Sequence, residues 1–344
     1  MKTTLRLSLS ALGAGALLAA LMIWGDVSPR AVWLTMRGLP AWMFLTALAT
    51  HFTVYCLRAT RFLALIPPQR RPGFWPMMAV AASHNLASYV LPAKSGEATF
   101  VLYLKGVCGV PGAVGLASLV ASRLYDFAVM CTALGAAALW LSQGEHWQVP
   151  RWSAWTFSAA LFTAGLAFGL LALRGERVMG PLRLALRTLR LDRTRLGRKL
   201  YDFSHRAAEA LRQARGGTSV FGLVALTALI WVGVFGFYAL LARGFGLPER
   251  IGPLEAVFGS GLAVMSNILP LNAFAGVGTQ EAGWVLGFGV LGVDRESAFA
   301  TGLAVHLVQL LNVVGMGLVG HLVLGALPRR ATGEAEPSGG VDGG

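Results

Sequence analysis

Two apolar segments in opposite halves of the chain are interrupted in the same way. The first is Asn85-Leu-Ala-Ser-Tyr-Val-Leu-Pro-Ala-Lys-Ser-Gly-Glu97, and the second is Asn267-Ile-Leu-Pro-Leu-Asn-Ala-Phe-Ala-Gly-Val-Gly-Thr-Gln-Glu281. Each begins with asparagine, contains a Leu-Pro step and ends in a glycine-bearing turn with a glutamate. Because proline removes a helix hydrogen bond and crowds the preceding turn, neither segment is expected to form one regular helix. We therefore predict two broken helical segments at matching positions of a duplicated chain.

Residues outside these segments keep the same order and spacing. Tyr55 precedes Glu97 by 42 residues, and Tyr238 precedes Glu281 by 43. The residues that follow each glutamate agree to within one position: Arg123 and Asp126 come 26 and 29 residues after the first, and His306 and Gln309 come 25 and 28 after the second. We predict one repeat over about 39–141 and another over about 219–324. Coincidence among common membrane residues is the alternative.

The composition places the chain in a membrane. Its 344 residues are 55% hydrophobic and 13% charged, with a mean hydropathy of +0.61, which is too apolar for an ordinary soluble domain. Six apolar runs approach the length of about 20 residues that crosses a bilayer, and they are 7–25, 39–57, 113–141, 154–173, 219–241 and 299–324. The fold class is therefore all-α, a polytopic helical membrane protein with one transmembrane domain over 1–325. The first run, Leu7–Trp24, also resembles a signal peptide, but it has no clean small-residue cleavage site, so an uncleaved helix is preferred.

Charge placement predicts how the broken segments 74–104 and 254–292 sit in the membrane. Loop 58–73 has four arginines and no acid, and linker 174–218 has twelve Lys/Arg against four acids, so both are expected on the cytoplasmic side. Because two full spans already lie between these loops, the first broken segment must return to the side it entered from. The same counting predicts that the second enters from the outside. We predict two re-entrant helical hairpins in an inverted repeat, with both termini cytoplasmic; a pair of very short crossings also satisfies the count.

The polar segments and the cysteines point to no soluble partner or cofactor. Linker 174–218 is basic, which in a membrane protein indicates contact with anionic lipid headgroups rather than nucleic acid. Residues 326–344 are rich in Gly, Glu, Pro and Ser, and we predict disorder there. The cysteines Cys56, Cys108 and Cys131 fit no metal spacing, and no nucleophile elbow or His-Glu-x-x-His motif is present. We expect no metal, cofactor or enzymatic activity, and no sequence feature indicates an oligomeric state.

Three acids lie well inside apolar segments: Glu97, Asp126 and Glu281. An ionised carboxylate in hydrocarbon costs at least about 2.5–3.5 kcal/mol, so such residues usually face a cavity and a partner. Arg123 stands three residues before Asp126 on one predicted helix and is able to pair with it, either as a structural lock or along a polar path. A helix that begins at Glu97 would direct its free N–H groups and the nearby Lys94 toward a phosphate or carboxylate headgroup. Glu97 capping that helix is the alternative.

Other polar residues at membrane depth complete the predicted site. Asn85 and Asn267 are expected to tie the broken helices together or to bind substrate, and His306 is either a packing residue or a proton carrier. In the second copy Thr279 is the predicted helix cap. The predicted substrate-binding residues are Asn85, Lys94, Glu97, Arg123, Asp126, Asn267, Gln280, Glu281, His306 and Gln309.

Four short patterns carry a resemblance to a known family: Asn85 with Leu91-Pro92 and Gly96-Glu97, Ser122-Arg123-x-x-Asp126, Gly276-Val-Gly278-x-x-Glu281, and Arg58-x-x-Arg61. At these residues the chain resembles the lysylphosphatidylglycerol synthetase transmembrane family, also called flippase-like, over about residues 5–325. Two features depart from the family pattern. The stretch Asn272-Ala-Phe-Ala replaces a more Pro/Gly-rich approach to the second turn, and His306 and Gln309 replace a charged pair.

The resemblance implies a bacterial inner-membrane protein that translocates lipid. We expect a flippase that moves a phospholipid or another amphiphile between leaflets, with lipids of anionic or amino-bearing headgroup as partners. Larger members of the family carry a soluble domain that attaches the amino acid, whereas this chain ends at Gly344 after a short tail, so we expect no synthetase activity. A small-solute secondary transporter and a non-catalytic membrane partner of a lipid-modifying enzyme are the alternatives.

Overall fold

The computed structural model describes residues 28–91, 96–188, 219–249, 251–268 and 274–327, with a few isolated positions between 194 and 205. Within these ranges the chain forms ten α-helices and no strand. The first five are α1 (Pro29–Arg37), α2 (Ala41–Leu65), α3 (Phe74–Val90), α4 (Glu97–Gly106) and α5 (Gly112–Leu141). The remaining five are α6 (Arg151–Thr188), α7 (Val220–Gly244), α8 (Pro253–Ile268), α9 (Thr279–Val290) and α10 (Arg295–Ala326).

Four of the helices are long and apolar enough to cross a membrane: Gly112–Leu141, Arg151–Arg174, Val220–Gly244 and Arg295–Ala326. They coincide with four of the six predicted spans. The predicted span 7–25 lies outside the described residues, and the predicted span 39–57 falls largely on α2. The all-helical membrane class is confirmed, and the number of six spans stays a prediction.

Helix boundaries differ from the sequence prediction at two basic positions. Helix α2 continues to Leu65, so Arg58 and Arg61 belong to this helix, and the prediction that they lie in a loop was wrong. Their side chains contact a polar cavity and an acid inside the protein. The helix can therefore continue beyond both residues. Helix α6 leaves helical geometry at Arg174 (φ −137°, ψ 30°), where its apolar part ends. The predicted disorder of the tail concerns residues that lie, from 328 onward, outside the described ranges.

Each broken segment is a pair of helices packed against one another, α3 with α4 and α8 with α9. The second pair packs backbone to backbone through glycines: a Cβ on Gly287 would lie 2.4 Å from the carbonyl oxygen of Gly259, and one on Gly283 would lie 2.7 Å from Ala263 Cα. Only glycine permits so close an approach, which is the usual device for tight helix contacts in lipid. The helical breaks are therefore confirmed, and re-entry from one membrane face stays a prediction.

The two predicted repeats interlock. Their first helices, α2 and α7, pack together, with Gly233 against Val54. The leading helix of each broken segment packs on the last helix of the opposite repeat, α3 on α10 through Gly317 and Leu86, and α8 on α5. Each half is therefore completed by the other half, and the space between them becomes the interior of a single bundle.

We predict that Gly287→Ala lowers the free energy of unfolding by about 1–3 kcal/mol, because the added methyl group collides with the Gly259 backbone. Gly289→Ala on the same helix is the matched control, since a Cβ there meets nothing within 4 Å. Thermal unfolding of the purified protein in detergent measures both. Equal stability of the two variants would contradict the backbone contact between α8 and α9.

Candidate functional site

A cavity of about 950 Å³ lies between α2, α3, α4, α5 and α7. Its charged and polar lining residues are His51, Arg58, Asn85, Ser88, Tyr89, Glu97, Arg123, Asp126, Tyr238 and Gln309. At 1.5 Å per residue, Arg123 and Asp126 stand about 16 and 21 Å along α5 from its first residue, near the middle of a 30-residue helix. Charged groups therefore meet at a depth where hydrocarbon would otherwise surround them.

A buried bidentate ion pair joins Arg61 to Asp126. The guanidinium donates from Nη1 to Oδ1 at 2.7 Å and from Nη2 to Oδ2 at 2.9 Å. It also donates to Ser122 Oγ at 2.6 Å and to Thr227 Oγ1 at 3.1 Å, while Trp231 Nε1 donates to Oδ1 of the aspartate at 3.2 Å. Only 1% of Arg61 is exposed. The pair fastens α2, α5 and α7 to one another.

A second ion pair forms one helical turn away, at the cavity surface. Arg123 Nη2 lies 2.8 Å from Glu97 Oε1, and its Nη1 lies 3.6 Å from Asp126 Oδ2. The predicted contact between Arg123 and Asp126 is thus present, but its N–O distance is long. The aspartate makes its shorter contact with Arg61. Helix α4 begins at Glu97, as predicted, so its first carboxylate projects to α5. Both side chains are about one-third exposed, which leaves this pair accessible from the cavity.

The second copy places a different pair at the corresponding positions. His306 Nδ1 lies 2.5 Å from Glu281 Oε1, and Glu281 Oε2 accepts from Gly278 N at 2.6 Å. His306 Nε2 lies 3.1 Å from the carbonyl oxygen of Ala275. Because a carbonyl only accepts, Nε2 carries a hydrogen, and the short contact at Nδ1 then requires one further proton shared with the carboxylate. The two residues of this pair are fully buried.

The turn before α9 is held in an unusual conformation. Ala275, Gly276 and Gly278 have positive φ values of 57°, 75° and 85°. Helix α9 begins at Thr279, and Gly278 occupies the cap position, so the prediction of a threonine cap was wrong. A threonine does not readily adopt the φ of 85° that this position needs, and Glu281 satisfies the free N–H of Gly278 instead. Thr279 donates its hydroxyl to the Gly276 carbonyl at 2.9 Å.

Gln309 forms hydrogen bonds that connect the region around Glu281 and His306 to the cavity. Its Oε1 accepts from Tyr238 Oη at 2.9 Å and from Gln280 Nε2 at 2.8 Å, and its Nε2 donates to Tyr89 Oη. Both tyrosines and Gln309 line the cavity. Hydrogen bonds through Gln309 therefore connect α9 with α7 and α3.

The structure sorts the ten predicted residues into three groups. Those that line the cavity are Asn85, Glu97, Arg123, Asp126 and Gln309. Those that are buried and do not line it are Gln280, Glu281 and His306. The predictions for Lys94 and for the Asn267 side chain fall outside the described part of the chain. Their common role in binding substrate stays a prediction.

Asn85 makes a hydrogen bond to a neighbouring helix. Its Nδ2 donates to Tyr55 Oη at 2.6 Å, which ties the broken helix α3 to α2. Sequence reasoning missed Arg58 and Arg61 as interior residues. The available signal was their helical spacing from His51 and Val54, which places all four toward one face of α2. Among the described residues, no three His, Cys, Asp or Glu side chains are grouped to hold a metal ion.

We predict that Arg61→Met lowers the free energy of unfolding by about 3–5 kcal/mol, because it leaves Asp126 buried without its short partner. The double variant Arg61→Met/Asp126→Leu should recover most of that loss, since no uncompensated charge is left in the pair. Unfolding of the two single variants and the double variant gives the coupling energy. Additive losses would show that the two residues do not act as a pair.

Comparison with known proteins identifies one family. The family model described as the lysylphosphatidylglycerol synthase TM region matches residues 7–317. No curated protein and no solved structure matches the chain. The matched range contains the cavity, both ion pairs and both broken segments. The chain belongs to the lysylphosphatidylglycerol synthase transmembrane-region family.

Proposed function

We propose that the protein moves a phospholipid or a similar amphiphile between the leaflets of the bacterial inner membrane. The headgroup occupies the cavity, and the acyl chains stay in the bilayer. Membership of the family supports a role in lipid handling. The basic residues Arg70 and Arg71 and the basic linker 174–218 support cytoplasmic termini, because cytoplasmic loops are enriched in Lys and Arg.

The observation that carries the proposal is a set of apolar cavity-lining residues on α4 and α5 that are also highly exposed. They are Ala98 and Leu102 of α4 and Ala113 and Leu116 of α5, and we infer a lateral opening of the cavity between these helices. Leu102 is 65% exposed and Leu116 is 52% exposed. All four side chains are apolar, as expected where a transmembrane helix faces acyl chains. An amphiphile fits such an opening with its headgroup at Arg123 and its tails outside, whereas a soluble solute requires a polar path.

The two halves support alternating access. The pairs Glu97–Arg123 and Glu281–His306 occupy equivalent positions in the predicted repeats and make equivalent contacts. The reciprocal packing of α3 on α10 and of α8 on α5 fits an inverted repeat, the arrangement from which many secondary transporters derive two access states. The first half offers accessible charges to a headgroup, and the second holds the proton that Glu281 and His306 share. A proton-coupled cycle is therefore part of the proposal.

We predict that Glu97→Gln slows lipid translocation about tenfold or more, because it removes the charge that holds Arg123 at the cavity surface. Translocation of a headgroup-labelled phospholipid in proteoliposomes measures the rate, and unfolding confirms that the variant is folded. Glu145→Gln, in an exposed loop, is the matched control and should keep the wild-type rate. An unchanged rate in folded Glu97→Gln would refute the proposed role of Glu97 in translocation, whereas no translocation by the wild type would support the partner-protein alternative.

We predict that Ala113→Trp also slows translocation severalfold, since an indole at the lateral opening obstructs the passage of a headgroup. Leu166→Trp is the control, because Leu166 is 63% exposed on α6 and does not line the cavity. The same proteoliposome measurement distinguishes them. Equal rates for the two tryptophan variants would exclude this opening as the route of the lipid.

A further inference from the structure

Among the residues that the structure describes, the charges of the cavity do not balance. Arg58, Arg123, Glu97 and Asp126 line it, and Arg61 stands behind Asp126. Three guanidinium groups therefore face two carboxylates. Both acids are engaged at short distance, Glu97 with Arg123 at 2.8 Å and Asp126 with Arg61 at 2.7 Å. One positive charge is left over.

The unmatched charge belongs to Arg58. No ion pair or hydrogen bond joins it to any residue within the described ranges, although Asp126 and Arg123 are close enough to interact with it electrostatically. It is half-buried on the cavity wall. Arginine stays protonated under all ordinary conditions, so this charge does not disappear by losing a proton. A partly buried cation without a counter-ion is costly and calls for a bound anion.

The surroundings of Arg58 favour a phosphate group. The planar guanidinium matches two phosphate oxygens at once. The hydroxyls of Tyr89 and Tyr238 and the amide of Asn85 lie on the same cavity lining and are uncharged, so they do not compete for the guanidinium as an acid would. His51 adds a second unmatched group on this wall, since its Nδ1 is buried with no hydrogen-bond partner in the described part of the chain.

We propose that Arg58 binds the phosphodiester of the transported lipid, and that the cavity prefers a headgroup with one net negative charge. The inference rests on the proposed function and adds its substrate class. One phosphodiester offsets the excess positive charge of the described lining residues, whereas a zwitterionic headgroup leaves that excess in place. The phosphate lies toward α2, and the acyl chains leave past Leu102 and Leu116.

The test is a binding titration of the purified full chain in detergent with three probes: a short-chain phosphatidylglycerol, the matching phosphatidylcholine and inorganic phosphate. Intrinsic tryptophan fluorescence reports binding, because Trp231 lines the cavity. The wild type should bind phosphatidylglycerol most tightly. Arg58→Gln should weaken that binding about 10- to 100-fold, and Arg58→Lys only severalfold, because lysine keeps the charge but loses the fork. Arg70→Gln, on an exposed turn, is the charge-matched control and should bind as the wild type does.

The thermal stability of the Arg58 variants distinguishes a binding role of Arg58 from a structural role. With no lipid present, Arg58→Gln should be as stable as the wild type or more stable, because it removes an unpaired charge and breaks no ion pair or hydrogen bond within the described ranges. A structural role would instead lower the melting temperature. If Arg58→Gln fails to fold, the folded Arg58→Lys variant still decides: wild-type affinity for phosphatidylglycerol combined with a lowered melting temperature overturns the proposal.

Each remaining outcome has a defined meaning. Equal affinity of Arg58→Gln and the wild type for phosphatidylglycerol overturns the inference even if translocation is observed. Inorganic phosphate binding as tightly as the lipid, with the same dependence on Arg58, identifies a free anion as the ligand and overturns the lipid assignment. Arg58-dependent binding of phosphatidylglycerol without any translocation supports the inference and refutes the proposed transport.

Discussion

The buried ion pair between Arg61 and Asp126 is the contact on which the remaining site depends. Neither charge is tolerable alone at the middle of a membrane helix, so α2 and α5 must meet where the two side chains meet. Thr227 and Trp231 bring α7 to the same point. Arg61 binds both carboxylate oxygens of Asp126, so Arg123 makes its short contact with Glu97 instead. This second ion pair positions the start of α4.

The same scaffold carries two different chemistries. In the first half, the Glu97–Arg123 ion pair is accessible from the cavity. In the second half, a fully buried pair of Glu281 and His306 shares a proton and supports a turn with three positive φ values. Gln309 stands between the two, with hydrogen bonds to Gln280 of α9 and Tyr89 of α3. The two halves therefore differ in chemistry, and the proposed transport cycle rests on that difference.

Much of this arrangement was predictable because it depends on local chemistry. Proline and glycine mark the breaks, so the helix start at Glu97 followed from the sequence, as did the four apolar helices. Equal spacing also anticipated that Glu97 would correspond to Glu281, and Arg123 to His306. The partner of Asp126 was not predictable in this way, since Arg61 is 65 residues distant and only tertiary packing brings it near. Local spacing favoured Arg123, which makes the longer contact. The number of positive charges in the sequence led to the prediction that Arg58 and Arg61 lie in a loop. Such a count does not reveal that an acid on another helix can pair with a buried arginine.

The central claim is that a lipid headgroup reaches the interior of the bundle. Phe127 lines the cavity from α5, one residue beyond Asp126, and a photoreactive benzoylphenylalanine fits this aromatic position. The most direct measurement is to irradiate that variant in membranes and identify the adduct by mass spectrometry. The account predicts a covalent phospholipid adduct at position 127, as at the lipid-facing position Leu166. An adduct at 166 but none at 127 would show that lipid stays outside the cavity and would contradict the account.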